Sequence, residues 1–428
     1  MGKKLDRSSD AAARAQSWLG DAGLTNERVR QQVDQMVDGL RREGPVLVLR
    51  ADGEPLPERA QWGEAAYVVR GGSVLLDPDD VGTVRETLKD LLEGDGTVEP
   101  IFDGVARMAV PDPVRAVRTA QERLNRPALH LEYALHVTNT SYCPATEPLP
   151  PGRRSPTGRR WSCPHCDGHG VKVAVVDSGF DPLVASTTAW LGGVQGDAET
   201  LTDPLGPYLG HGTFIAGVVR MMAPAAEVYV HGTFPVWGAE YESTIVRKLI
   251  EAAKSEPDII SLSAGTTTLD DGGLYSFDVW WKRHACKKTV LVAAAGNNGN
   301  DVKFYPAAAD YAIGVGAVDK DGTLAAYSCF GEWVDVYARG SDVVNAYPRG
   351  RYRYVQAPLQ GTSDVLLPAG LARWSGTSFA TPMVAGVIAA RMTGQPGTAP
   401  ATADTLVAHA HQHAFSGLPV VRKRDADD

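Results

Sequence analysis

Five short apolar runs, separated by stretches long enough to form helices, constrain the fold of this chain most strongly. They are residues 171–176, 228–230, 259–262, 290–295 and 313–318. Strands that are apolar along their whole length are typical of parallel sheets that helices cover on both faces. We therefore expect an α/β fold with a doubly wound, mainly parallel sheet, and we assign it to residues 161–393.

The sequence before this region has a different pattern. Residues 25–40 carry apolar side chains at helical spacing, which predicts a helix within an N-terminal helical segment, residues 1–40. Residues 41–142 alternate between strand-like and helix-like runs, and a hairpin is predicted around Gly71 and Gly72. This part of the chain therefore indicates a smaller α+β region that precedes the parallel sheet.

Two further segments stand out by composition. Residues 143–160 are rich in proline and arginine and have almost nothing apolar to bury, so they predict an exposed linker. Residues 394–428 are rich in alanine, proline, threonine and charge, and predict a partly disordered C-terminal extension.

Composition limits the class of protein. Of the 428 residues, 43% are hydrophobic, which is enough for a sizeable core. The 42 Lys and Arg against 51 Asp and Glu leave a net charge of −9, which argues against a coat for nucleic acid or anionic membrane. No secretory signal or membrane-length apolar run is visible, and five cysteines are too few for a disulfide scaffold. We therefore expect a cytoplasmic protein without nucleic-acid or membrane partners.

Three segments place reactive side chains at the ends of predicted elements. Asp177 ends an apolar run in VAVVDSG, at the edge of the sheet where ligand sites of α/β folds form. His211 opens the helical stretch HGTFIAG, and Ser378 in SGTSFATP precedes another helix, whose N-terminus stabilises negative charge. Each residue alone has a simpler structural explanation, but the three together form a specific pattern.

In this order and with these flanks, Asp177, His211 and Ser378 resemble the Asp-His-Ser triad of the subtilisin-like serine peptidases, or subtilases. The resemblance covers roughly residues 171–392. The segment AAAGNNGN is similar to the one that carries the oxyanion-hole asparagine of the family, which falls here on Asn297.

Two less specific sequence motifs extend the resemblance. IISLSAG resembles the edge strand that pairs with an extended substrate, which implies substrate binding by Ser263, Ala264 and Gly265. Tyr305 and Pro306 resemble the loop beside the specificity pocket. The chain departs from the family at Phe214, where a second His is usual, and at Ala264, where Leu is usual.

The resemblance implies a serine endopeptidase that acts on polypeptides through an acyl-enzyme. His211 would take the proton of Ser378, Asp177 would orient the imidazole, and Asn297 would help to bind the oxyanion. No cofactor or metal would be required. The alternative is a regulatory or scaffold protein with a vestigial peptidase domain, in which residues 1–150 form the functional surface.

Metal binding is weakly indicated. Cys163 and Cys166 in WSCPHCDGHG, with His165, His169 and Cys143, could form a zinc site, but the usual second ligand pair is missing. A disulfide or free thiols fit the same spacing.

Two other metal signals are weaker still. The alternating His409, His411 and His413 predict a solvated polar segment. Subtilases often bind calcium, but no acidic loop here matches a pattern that assigns it to residues.

The small α+β region lies where the family has its propeptide. We therefore hypothesise, from position and size alone, that residues 41–137 cover the cleft and act as a folding aid or inhibitor. The arginine-rich residues 153–160 are then a candidate processing site, because an exposed linker is open to proteolysis.

Overall fold

The computed structural model describes residues 22–92, 94, 96–137, 147–156, 166–355 and 361–422. The N-terminal part contains helices α1 (Ala22–Leu40), α2 (Val81–Thr87) and α3 (Pro113–Leu124). Its strands are β1 (Val46–Leu49), β2 (Tyr67–Arg70), β3 (Ser73–Leu76), β4 (Val98–Phe102), β5 (Val105–Ala109) and β6 (Ala134–His136).

The remaining elements follow from residue 172 onward. The strands are β7 (Lys172–Asp177), β8 (Gln195–Gly196), β9 (Glu227–Gly232), β10 (Ala239–Tyr241), β11 (Ile259–Leu262), β12 (Val290–Ala294), β13 (Ala312–Val318), β14 (Val336–Arg339), β15 (Val343–Ala346), β16 (Gly350–Tyr352), β17 (Val365–Leu367) and β18 (Leu371–Trp374). The helices are α4 (Pro182–Thr187), α5 (His211–Met222), α6 (Glu242–Ala253), α7 (Tyr275–Arg283), α8 (Thr377–Arg391) and α9 (Ala399–Gln412).

Seven strands form one parallel sheet in the order β14-β13-β12-β11-β7-β9-β8. Side chains of a strand point alternately to its two faces, so the middle of a central strand such as β7, residues 173–176, must be apolar on both. Val173 and Val175 join the core under α5 and α8, whereas Ala174 and Val176 join the core under α6 and α7. The predicted α/β fold with a doubly wound parallel sheet is confirmed.

The N-terminal part contains a three-stranded antiparallel sheet, in the order β3-β5-β4, on which α2 and α3 pack. The hairpin predicted at Gly71 and Gly72 is wrong, because β2 pairs with β1 and β3 pairs with β5. The segment 130–133 separates β2 from β3: Leu75 exchanges backbone hydrogen bonds with His130, and the Arg70 nitrogen donates to the Glu132 carbonyl.

The region predicted as an exposed linker is partly anchored. Leu149 exchanges two backbone hydrogen bonds with Arg373, and the buried Glu147 carboxylate accepts from the Tyr352 hydroxyl and the Val355 nitrogen. The prediction of exposure is therefore wrong for residues 147–149, since tertiary partners satisfy their polar groups. Arg153 and Arg154 are exposed, whereas residues 157–160 lie outside the described part of the chain.

The extension predicted at residues 394–428 contains helix α9. Its Ala399, Ala403, Leu406 and Ala410 side chains are buried in the core beside α8, so residues 399–412 form an ordered part of the fold. Residues 423–428 lie outside the described residues. Among the helices that the structure describes, none is long and apolar enough to cross a membrane.

Candidate active site

Asp177 and His211 form a buried pair at the carboxyl edge of the parallel sheet. Asp177 is the last residue of β7, and His211 is the first residue of α5. His211 Nδ1 lies 2.8 Å from Asp177 Oδ1, and both side chains are almost fully buried. The same Asp177 oxygen accepts from the Ser178 nitrogen, and the Ser178 hydroxyl accepts from the Gly212 nitrogen. These bonds tie the end of β7 to the start of α5 and fix the pair.

Aromatic side chains hold the imidazole on its other sides. The rings of Trp374 and Phe379 lie 5.2 Å and 5.4 Å from the His211 ring, measured between centroids. Phe214 packs against both of them, at 5.8 Å and 4.7 Å. Phe214, where the family usually has a second His, therefore supports the two rings that contact His211.

Ser378 lies at the start of α8, which follows the cap residue Gly376. Its backbone carbonyl accepts a hydrogen bond from the Ser263 hydroxyl at 2.9 Å. Its own hydroxyl donates to the carbonyl oxygen of Val137 at 3.4 Å. The helix N-terminus therefore carries a serine whose hydroxyl faces a peptide carbonyl from the N-terminal part of the chain.

Asn297 follows β12, next to Ser378. Its side-chain oxygen Oδ1 accepts from the Thr377 nitrogen at 2.7 Å and from the Thr377 hydroxyl at 2.9 Å. Because two donors fix which end of the amide is oxygen, the nitrogen Nδ2 is directed away from Thr377. Sequence reasoning found Asn297 but missed Thr377, which orients it.

A groove beside these residues holds β6 as an extended strand. On one side β6 pairs antiparallel with β10, and the Val137 nitrogen donates to the Gly238 carbonyl at 3.0 Å. On the other side His136 and Gly265 exchange two backbone hydrogen bonds, at 3.1 and 3.2 Å. Residues 134–137 are thus paired on both sides and run toward Ser378.

The sequence prediction for this groove needs one correction. β11 lies between β12 and β7 inside the sheet, so it is not an edge strand. Only the residues beyond its end reach the groove. Gly265 pairs with the extended strand, Ala264 is buried in the same core as Leu135, and Ser263 supports Ser378. The other wall, β10, was not predicted.

Glu199 is a further ionisable group close to the buried pair. Its carboxylate accepts from the nitrogen of Gly210 at 2.9 Å, directly before the helix that begins with His211. Burial raises the pKa of Glu199 to about 7, and the negative charges of Asp177 and Asp181 act in the same direction. No sequence signal near Glu199 indicated this position.

Buried carboxylates also lie where β6 and its neighbours contact α6. Glu132 accepts from Arg70, Arg107 and the Ser243 hydroxyl. Glu242, at the start of α6, accepts from the backbone nitrogens of Tyr133 and Ser276. Burial raises the pKa of Glu242 to about 8 and that of Glu240 to about 7.

Metal ligands are not grouped in the described part of the chain, where no cluster of three or more His, Cys, Asp or Glu could hold an ion. No residues are therefore assigned to calcium. For the zinc hypothesis, Cys143, Cys163 and His165 lie outside the described residues, so it stays a prediction. The rings of His409 and His413 stack at the end of α9, where His409 is half-buried and His413 is exposed.

Comparison with known proteins identifies the family. The Subtilase family matches residues 168–423, more than half of the chain. This protein therefore belongs to the subtilase family. The matched range contains Asp177, His211, Asn297 and Ser378.

Individual relatives agree with this assignment. The chain is 32% identical over 234 residues to a thermophilic serine proteinase of Bacillus sp. strain AK1, covering 51% of each chain. It is 32% identical over 233 residues to thermitase of Thermoactinomyces vulgaris, covering 52% of this chain and 74% of that one. The chain thus spans about half the length of the first relative.

A solved structure shows the likeness in fold. The crystal structure of fervidolysin from Fervidobacterium pennivorans, described as a keratinolytic enzyme related to subtilisin, has 18% sequence identity and a TM-score of 0.56. The match covers 84% of this chain and 61% of that one.

Proposed function

We propose that this chain is a serine endopeptidase that hydrolyses peptide bonds in polypeptides. The observation that carries the proposal is the extended strand 134–137 in the groove, whose last carbonyl accepts a hydrogen bond from Ser378. The buried Asp177–His211 pair lies at the same edge of the sheet. A peptide backbone, a serine at a helix N-terminus and a carboxylate–imidazole pair are the components of acyl transfer.

Each residue then has a role in the reaction. Ser378 Oγ attacks a peptide carbonyl while His211 takes its proton. Asp177 accepts from Nδ1 of the imidazole, which leaves Nε2 to act as the base and stabilises the imidazolium that forms. The imidazolium gives the proton to the leaving amine, and water then hydrolyses the acyl-enzyme. The Trp374 and Phe379 rings keep the His211 imidazole in place during these steps.

Asn297 supplies the oxyanion site together with the start of α8. Because the Asn297 oxygen accepts from Thr377, its side-chain nitrogen is the atom that would donate to the substrate oxygen. The backbone nitrogen of Ser378 is among the first of the helix and has no partner within it. Two N–H donors and the helix dipole can therefore stabilise the negative charge that develops on the substrate oxygen.

We also propose that the N-terminal part of the chain, through residues 41–137, inhibits the enzyme. Four observations support this. Strand β6 forms backbone hydrogen bonds with both walls of the groove, and the Val137 carbonyl accepts from the candidate nucleophile. Two side-chain contacts join the same segment to α6: Glu242 accepts from the Tyr133 nitrogen, and Glu132 and Arg107 both bond to the Ser243 hydroxyl. Substrate and this segment would compete for the same backbone groups.

The same contacts point to a processing site. Val137 approaches Ser378, whereas Arg154 is paired with Asp342 at 2.6 Å on the surface. We therefore propose self-cleavage beside Val137, at the peptide bond before or after Thr138, in place of the arginine-rich segment. The cytoplasmic location stays a prediction.

Covalent labelling tests the proposed function without a known substrate. Purified wild-type protein and the Ser378→Ala variant are treated with a fluorophosphonate, and the modified residue is mapped by mass spectrometry. We expect labelling of Ser378 in the wild type after the N-terminal part has been cleaved and released, and no labelling of the variant. A folded wild type that does not cleave itself, and that stays unlabelled after an added protease has removed the N-terminal part, would favour the scaffold alternative.

A further inference from the structure

A slot next to the candidate nucleophile lies between two neighbouring chain segments. Strands β11 and β12 are adjacent in the sheet, and their carboxyl ends lead into Gly265 and Gly296. Gly265 pairs with the extended strand in the groove, and Gly296 directly precedes Asn297. The slot therefore lies between the groove that holds the extended strand and the candidate oxyanion residue Asn297.

The ring of Phe304 fills this slot. A methyl group placed on Gly265 would lie 2.4 Å from Phe304 Cε1, and one placed on Gly296 would lie 2.9 Å from Phe304 Cγ. The ring thus packs directly against both glycines, and Phe304 is only 3% exposed. Glycine is needed at both places because any side chain would collide with the ring.

The backbone holds Phe304 in this position. Its neighbour Tyr305 exchanges two hydrogen bonds with Thr266, at 2.8 and 2.9 Å, directly beyond Gly265. The carbonyl of Phe304 accepts from the Ala308 nitrogen at 2.9 Å. Because these bonds fix its backbone, the ring can leave the slot only by a side-chain rotation that would empty the space between the glycines.

The strand in the groove shows which substrate side chain meets the ring. The His136 ring makes an edge contact with Phe304, with centroids 5.9 Å apart. Side chains two residues apart point to the same side of a strand. In a substrate that binds as residues 134–137 do, the residue after the Val137 position therefore faces Phe304.

We propose that Phe304 restricts the substrate residue on the acyl side of the scissile bond to a small side chain, such as Gly, Ala, Ser or Thr. This inference rests on the proposed endopeptidase function. Leu, Met, Phe or Tyr would require the volume that the Phe304 ring occupies. The residues that follow Val137 in the sequence are Thr138, Asn139, Thr140 and Ser141, none of which is large and apolar.

Peptide hydrolysis tests this restriction. Internally quenched peptides repeat residues 134–143 and vary only position 138 among Ala, Thr, Leu and Phe, and the cleaved bond is mapped by mass spectrometry. We expect the cleaved wild-type enzyme to cut after Ala or Thr with kcat/KM roughly a hundredfold above that for Phe. Equal rates for Ala and Phe would overturn the proposal with no variant needed.

Two variants and a control test the role of the ring. Phe304→Ala is expected to raise kcat/KM for the Phe peptide by about ten- to a hundredfold and to leave the Ala peptide within a fewfold. Phe304→Leu keeps much of the packing and is expected to have an intermediate effect, so it serves if the alanine variant does not fold. Val302→Ala changes an exposed side chain of the same loop and is expected to keep the wild-type preference.

The outcomes separate this inference from the proposed function. If the wild type is labelled by fluorophosphonate and cuts the Ala peptide, but folded Phe304→Ala keeps the wild-type preference, the restriction by Phe304 is wrong and the endopeptidase function stands. If Ser378 is never labelled after release of the N-terminal part, the proposed function itself fails.

Discussion

The buried carboxylate of Glu242 accepts a hydrogen bond from the backbone nitrogen of Tyr133 at 3.1 Å. This contact joins the first turn of α6 to the segment that leads into the groove. If the N-terminal part inhibits the enzyme as proposed, this carboxylate with a raised pKa lies at a contact that breaks before a substrate binds.

The first prediction is that the cleaved N-terminal part is released as the pH rises. Burial raises the pKa of Glu242 to about 8 and that of Glu240 to about 7, while the ordinary value is 4.5. Glu43 and Glu132 add negative charge near Glu240, and Arg70 opposes them. The Tyr133 nitrogen lowers the pKa of Glu242, but burial is the larger effect. We expect release to expose both carboxyl groups to water and to return their pKa values toward 4.5. Binding of the N-terminal part then takes up protons, so its affinity is greatest below pH 4.5 and falls between pH 4.5 and about 8.

Gel filtration of the cleaved protein checks this prediction. Each proton taken up changes the affinity by at most about tenfold per pH unit. We expect the N-terminal fragment to co-elute at pH 5 and to separate at pH 8.5. The variant with Glu240→Gln and Glu242→Gln should lose most of this dependence. Co-elution that does not change across this range would contradict the prediction.

The second prediction concerns the oxyanion site. Asn297→Asp keeps an acceptor for Thr377 but replaces the N–H donor by a carboxylate oxygen. In subtilisins the loss of such a donor lowers kcat roughly a hundred- to a thousandfold, and we take over this family value as the expected loss. Thr377→Val removes one of the two bonds to Asn297 and should cause a smaller loss. In steady-state kinetics, a lower kcat with an unchanged KM would support the roles of Asn297 as oxyanion donor and of Thr377 in orienting it. An Asn297→Asp variant with the wild-type kcat would exclude Asn297 as the donor.

The sheet was predictable because burial on both faces forces its central strands to be apolar. The two outer strands β8 and β14 were missed. β8 has only two residues, and Asp335 and Arg339 on either side of residues 336–338 interrupt the apolar run at β14. The candidate site residues Asp177, His211 and Ser378 were indicated by sequence because acyl transfer demands these residue types. Glu199 and Phe304 are distant in sequence from these motifs and act only through tertiary packing, so no local pattern indicated them.

The third prediction is that the chain cuts itself next to the groove. Because Val137 faces Ser378, purified wild-type protein should yield a new N-terminus at Thr138 or Asn139. The Ser378→Ala variant should keep its intact mass of 45.6 kDa under the same conditions. Replacing Arg153 and Arg154 with Gln should not change the cut. A wild-type N-terminus within residues 153–160 would instead favour the arginine-rich segment.

The fourth prediction concerns Glu199, whose carboxylate caps the turn before His211. Its pKa is raised to about 7 by burial, so the folded protein binds a proton that the unfolded chain loses near pH 4.5. This group therefore stabilises the fold fully below pH 4.5, and its contribution is lost as the pH rises to about 7. Glutamine keeps the acceptor for Gly210 and has no charge to bury.

Urea unfolding in a Ser378→Ala background measures the effect without self-digestion. Glu199→Gln should exceed its parent in unfolding free energy by roughly 1–3 kcal/mol at pH 8, because one pKa unit corresponds to about 1.4 kcal/mol. At pH 4.5 the two proteins should be equal, since both then carry a neutral side chain. The exposed Glu227, changed to Gln, is the matched control and should give no difference at either pH. A gain for Glu199→Gln that is the same at pH 4.5 and 8 would show that packing, and not the buried charge, is responsible.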